Sequence, residues 1–175
     1  MEQRLRTPEE LRQLHEALKQ GKLQGREVYR AVQIFGENLY LPARPEVESL
    51  LHSEDFELRF VALKVLTRYW HLKEHWETAR QVLLSDPEVE CRFRAAHDLG
   101  SLMRNTQDPR TLHVLAQVVQ NEQENLTVRE AAYAAMKEVL QYDAREQLHM
   151  ATRRFDFNRE VDWNLVNQYS EWKEN

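Results

Sequence analysis

The sequence predicts an all-α chain in which short helices stack in successive pairs, a solenoid of about four pairs closed by capping helices. Three observations predict it. One nine-residue pattern occurs three times: Leu58-Arg59-x-x-Ala62-x-x-x-Leu66, Cys91-Arg92-x-x-Ala95-x-x-x-Leu99 and Val128-Arg129-x-x-Ala132-x-x-x-Met136. The copies begin 33 and 37 residues apart, the length of a helix-turn-helix unit. Helix-start signals precede the apolar stripes, and no stretch alternates with period two, so no sheet is expected.

In each copy, helical periodicity puts the first apolar residue, the Ala and the last large residue on one stripe. The Ala lets a neighbouring helix approach closely. The Arg sits at the edge of the stripe, where its stem packs and its head reaches outward.

Taken in order, residues 1–6 are polar and read as a frayed start. Thr7-Pro8-Glu9-Glu10 is a capping box with Pro in the first turn, and Leu11, Leu14 and Leu18 form the buried stripe of that helix. Gly21 and Gly25 end it. A second helix over about 26–37 carries Val28, Tyr29, Val32 and Phe35 or Ile34 on its apolar stripe and reads as a degenerate repeat or cap; Gly36 and Leu41-Pro42-Ala43-Arg44-Pro45 break the chain. A helix from Pro45 buries Val47, Leu50 and Leu51. The first motif helix comes next, then a partner over about 73–85. Asp86-Pro87 opens the second motif helix, with Pro in its first turn, and Asp108-Pro109 opens a helix burying Leu112, Leu115 and Val119. The third motif helix begins around Asn125-Leu126-Thr127 and holds Val128, Ala132, Ala135, Met136, Val139 and Leu140, and Asp143-Ala144-Arg145-Glu146 reads as the next capped start. In pairs, each motif helix comes first and the helix after it is its partner. The tail, rich in Phe, Trp and Tyr, predicts one capping helix over about 158–172. The chain divides into a cap and degenerate repeat (1–44), core repeats (45–153) and a C-terminal cap (154–175), all in a single domain.

Composition excludes several classes. With 24 Lys and Arg against 29 Asp and Glu the net charge is −5, which disfavours phosphate-tracking nucleic-acid binding. The single cysteine, Cys91, rules out an internal disulfide and any multi-cysteine metal site, and its place in the motif predicts a buried thiol. No apolar run reaches membrane-spanning length, and the first residues lack the apolar core of a signal peptide. A cytoplasmic protein is the expectation. No cofactor is expected. His71 and His75 have the i, i+4 spacing of a helical metal pair but fall near a helix–helix turn and lack a Glu after the first His, so no metal site is expected either.

Residues Asp86-Pro87-x-x-x-Cys91-Arg92-x-x-Ala95-Ala96-x-x-Leu99-Gly100 and Val128-Arg129-x-x-Ala132 carry a resemblance, with the copy at Leu58 a looser match. Over roughly residues 45–150 the chain resembles HEAT repeats, in the short bacterial form also found in phycobilisome lyase-like proteins. The resemblance implies a right-handed solenoid in which the second helix of each pair lines the concave side. Similar repeats serve as scaffolds, bilin lyase subunits, hydroxylases and alkylated-DNA glycosylases. The iron-dependent hydroxylases built this way use several His-Glu pairs; this chain has one, His15-Glu16.

The leading expectation is therefore a non-catalytic module that binds another protein on its concave face, a role that includes inhibitor or immunity-type proteins. A bilin lyase-like subunit and a nucleic-acid-binding or DNA-repair protein are the alternatives. Counting off the apolar stripes of the second helices leaves Glu48, His52, Glu77, Arg80, Gln81, His113, Gln117, Arg145 and His149 for the groove. They are mixed in charge, which suits a polar protein surface, and contain no apolar anchor unless Trp76 turns outward. The ladder Arg59, Arg92 and Arg129 reads either as an anion-binding strip or as bonding between repeats. The second is favoured, with Asp55, Asp86 and Asp108 as partners unless they serve as caps.

Overall fold

A computed structural model describes residues 6–151 and 155–173. The described residues form helices and turns without a strand. They fall into two compact units, Met1–Lys73 and Glu74–Asn175. The expected boundary between repeats and terminal cap, at residues 153 and 154, lies outside the described residues, as does all of the expected frayed start except Arg6. The Arg6 backbone N–H donates to Asn38 Oδ1 at 3.0 Å.

The first unit holds α1 (Pro8–Lys19), α2 (Arg26–Glu37), α3 (Arg44–Ser49) and α4 (Phe56–Lys64), with one-turn 3-10 segments before and after α3. The capping box forms: Thr7 Oγ1 accepts from Glu10 N–H at 3.2 Å and Glu10 Oε2 accepts from Thr7 N–H at 2.8 Å. Phe35, Val32, Val47, Val61, Ala62 and Leu66 form the dry core, with His15 wedged against the rings of Phe35 and Tyr40 and bonded to Glu46 at 2.9 Å.

Gly36 differs from its expected role. It lies inside α2, buried, and does not break the chain. A Cβ there would meet Val65 Cγ2 at 2.7 Å and Tyr69 Cδ2 at 2.8 Å. Close packing, not a turn, requires glycine. The facing segment Val65–Tyr69 continues α4 as a π-helical turn, closed by Trp70 N–H to Val65 carbonyl at 2.9 Å. Such wide turns carry one residue more than periodicity allows, so a fixed 3.6-residue count loses its phase beyond this point.

The second unit holds α5 (Trp76–Ser85), α6 (Val89–Leu102), α7 (Pro109–Gln120), α8 (Leu126–Leu140), α9 (Ala144–Met150), α10 (Phe157–Glu160) and α11 (Trp163–Ser170). Helix α6 packs against α5 and α8, and α7 packs against α8 and α11. The consecutive α6 and α7 barely touch. The expected pairing is thus out of phase: the hairpins are α5–α6 and α7–α8, and the motif helix is the second member. The connections explain it. Residues 86–88 and 121–125 fold α6 and α8 back on the helix before them, whereas residues 103–108 are tied to the end of α8. There Asn105 N–H donates to Glu138 carbonyl at 3.1 Å and Gln107 N–H to Val139 carbonyl at 3.0 Å.

Two further starts and ends are corrected. Pro87 precedes α6 by two residues and does not occupy its first turn; Asp86 Oδ1 instead accepts from Glu88 N–H at 2.9 Å. Asp108 does cap α7, with Pro109 at its first position. The single terminal helix expected over 158–172 is split. Val161 is extended (φ −68°, ψ 125°), and Asp162 caps a new helix by accepting from Asn164 and Leu165 N–H at 3.1 Å. Val161 and Phe157 are buried, so the break lets both turn inward. Trp172 is half-buried, and the exposed tail tryptophan is Trp163.

The α6–α8 crossing is the tightest contact of this unit. A Cβ on Gly100 would stand 2.9 Å from both Cα and Cβ of Ala135. Ala95, Ala96, Leu99, Ala132, Ala135 and Met136 around it are fully buried. Gly100→Ala should therefore destabilise the protein by about 1–3 kcal/mol through overpacking, outweighing the ~1 kcal/mol that Ala ordinarily gains over Gly inside a helix. A denaturation midpoint equal to or above that of the parent would contradict the crossing.

Candidate interaction surface

The motif arginines are positioned by the helix start and spent on backbone and carboxylate. Arg92 Nη1 donates to the carbonyls of Asp86 and Pro87 at 2.8 and 3.1 Å. Arg59 Nη1 repeats this with Ser53 and Glu54, at 2.9 and 3.1 Å. Arg129 Nε donates to Val119 carbonyl, near the end of α7, at 2.9 Å, and its guanidinium lies over the Phe157 ring at 4.9 Å. Each motif arginine thus reaches back to the connection or helix end before its own helix. Arg92 goes further, gripping Glu124 in the α7–α8 connection by two bonds of 2.8 Å, Nε to Oε2 and Nη2 to Oε1. Asp55, Asp86 and Asp108 turn their side chains to backbone N–H groups at helix starts, and Asp86 also meets Arg92 through its carbonyl.

Arg92 holds the Glu124 carboxyl below its ordinary range, against the opposing effect of burial and with help from the Asn125 N–H. A carboxylate with a depressed folded-state pKa stabilises the fold above its unfolded pKa and loses that stabilisation as pH falls through the folded value. Glu124→Gln should flatten the acid limb below about pH 5, and Arg92→Ala should cost about 2 kcal/mol at neutral pH. The two losses should be strongly non-additive in the double variant. Urea denaturation across pH checks both; parallel pH profiles for parent and Glu124→Gln would contradict the pair.

The residues picked for a groove fall in several places. In the first unit, Glu48 is ion-paired to Arg44 Nε at 2.6 Å and His52 is exposed. In the second unit the structure brings Glu77, Arg80 and His113 together. Glu77 accepts from Arg80 Nε at 2.9 Å and Nη2 at 2.6 Å, and from Gln81 Nε2 at 3.3 Å. The pairing lowers the Glu77 pKa and raises that of Arg80. Gln117 is exposed on α7. On α9, Arg145 is exposed and His149 is bonded to Glu160 at 2.6 Å; neither lines the surface formed by α5 and α7.

That surface has a hollow of about 280 Å³. The count from apolar stripes missed four of its lining residues: Trp76, Arg110, Val114 and Trp172. The Trp76 Nε1–H donates to Thr111 Oγ1 at 2.8 Å, and the Arg110 guanidinium stands 5.3 Å from its ring centroid. His113 Nδ1 lies 2.9 Å from Tyr169 carbonyl and its ring 5.8 Å from that of Trp172. Trp76 opens α5, and the Nε1 edge of its half-buried ring meets α7. The position of Trp172 depends on the break at Val161, which the apolar pattern of the tail does not show.

A model of HEAT repeats matches residues 43–137. The chain belongs to the HEAT-repeat family. The match spans both units, ends inside α8, and leaves the terminal helices α9–α11 outside. No curated protein matches the chain. In this HEAT-repeat chain the motif arginine staples its hairpin, as the bonds of Arg92 show. Among the described residues no group of three or more His, Cys, Asp or Glu side chains could hold a metal ion. His71, at φ 55°, and buried His75 do not share a helix. No described helix is long and apolar enough to cross a membrane.

Proposed function

We propose that this HEAT-repeat protein is a non-catalytic interaction module that binds another protein through the α5–α7 surface. HEAT repeats are generally protein-interaction scaffolds. The observation that carries the assignment to this surface is the grouping of two half-buried indoles, Trp76 and Trp172, with Arg80, Arg110 and His113 around one hollow. Tryptophan and arginine at the centre of a patch, rimmed by polar groups, are the residues that dominate binding energy at protein interfaces. The indoles supply the anchors that the mixed polar set lacks by itself. Arg80 and Glu77, already paired, give a preorganised polar rim that needs little ordering on binding.

The test is capture of a partner from the native cell by the immobilised protein, then affinity measurement with the double variant Arg80→Glu, Gln117→Glu. Both positions lie outside the core, so the melting temperature should stay near that of the parent. Affinity should fall by about tenfold or more, which is ~1.4 kcal/mol. Unchanged affinity in a folded variant would contradict the assignment.

A further inference from the structure

A second hollow lies on the motif helices themselves. On α8, Thr127, Glu130, Ala131 and Ala134 follow the i, i+3, i+4, i+7 spacing of one face, and all line it. Across from them α6 contributes Phe93 and His97, whose rings meet edge-on at 4.7 Å. From α9, Gln147 closes the hollow, its amide donating to the Ala134 carbonyl at 2.9 Å. The volume is about 260 Å³, below the usual range for a cofactor or drug-sized ligand and suited to one long side chain.

Two features of this hollow are unexplained by folding. Phe93 is 37% exposed, although a large aromatic ring off the apolar stripe contributes little to the core from there. Glu130 is half-buried among alanines, and among the described residues no Lys, Arg or His is bonded to it. Burial raises its pKa, so its charged form is held at a cost. A carboxylate set in an apolar wall beside an exposed aromatic face complements a planar cation. A guanidinium can donate to both carboxylate oxygens as a fork and lay its face on the ring, whereas an ammonium can do only one at a time.

Resting on the interaction-module reading, we propose that the α6–α8–α9 hollow is a socket for one arginine side chain of a partner protein's apolar segment, with Glu130 receiving the guanidinium and Phe93 receiving its face. The floor of Ala131 and Ala134 gives the arginine stem and its apolar neighbours a low surface to lie on.

The probe is the synthetic pentapeptide acetyl-Ala-Leu-Arg-Leu-Ala-amide, titrated into the isotope-labelled full chain and followed by backbone amide shifts. Counterparts carry Lys, citrulline or Glu in the central position. The arginine peptide should move the amides of Ala131, Ala134 and Gln147. Citrulline, which keeps the shape without the charge, should bind about tenfold more weakly, Lys should fall between, and Glu should give no shifts. Glu130→Gln should erase the preference for arginine over citrulline. Its melting temperature should not fall, since the substitution removes a desolvated charge. Equal binding of the arginine and citrulline peptides, an arginine preference that survives Glu130→Gln, or no shift at these amides would overturn the socket. Shifts confined to Arg80, His113 and their neighbours would overturn the socket while leaving the interaction-module reading in place. Because the probe is synthetic, failure of the Arg80→Glu, Gln117→Glu test leaves this one interpretable.

Discussion

The second unit depends on how closely α6 can lie on α8. Gly100 against Ala135 sets that distance, since any Cβ on Gly100 would stand inside normal contact. The closeness makes the surrounding alanines useful: Ala95, Ala96 and Ala132 bury completely because the helix axes are near enough for small side chains to fill the space. The first unit solves the same problem with Gly36 against Val65 and Tyr69. In both, one helical glycine gives up local helix propensity for dispersion contacts along a whole crossing.

A close crossing needs its helices held in register, and the motif arginines do that. An arginine early in the helix folds back to the carbonyls that precede the helix, which would otherwise face a partly dry surface without donors. Arg92 adds the two-bond grip on Glu124, joining the α5–α6 hairpin to the α7–α8 connection. At its side chain's low exposure the pair is worth more than a surface ion pair, and its geometry is the fork–fork arrangement that makes arginine irreplaceable by lysine. Trp76, Trp172, Phe93 and Glu130 stand on faces away from these bonds.

Much of this was legible in the sequence, and the limits have physical causes. Motif helices, the Thr7 and Asp108 caps and the burial of Cys91 come from rules that act within one or two turns. The bonding of Arg92 was legible in kind, because an arginine at the stripe's edge must find acceptors; that the acceptor is Glu124 was not, because it comes from the next hairpin. Gly36 was misread because glycine signals both a turn and a close approach, and only the facing helix distinguishes them. The pairing phase was misread because the apolar stripes do not say which neighbour a helix buries against; the bonds of Asn105 and Gln107 to the end of α8 decide that. The α5–α7 surface was half legible, through Glu77, Arg80 and His113. The hollow beside Glu130 was not, since a glutamate on a motif helix reads as solvated until the helices flanking it are in place.

Native-state hydrogen exchange tests the central claim most directly. If the Gly100–Ala135 crossing is the constraint on which the second unit depends, the buried amides of α6 and α8 exchange with one common opening free energy, the highest in that unit, while α9 opens at lower cost. Separate opening of α6 and α8, with distinct free energies and distinct denaturant dependence, would contradict it.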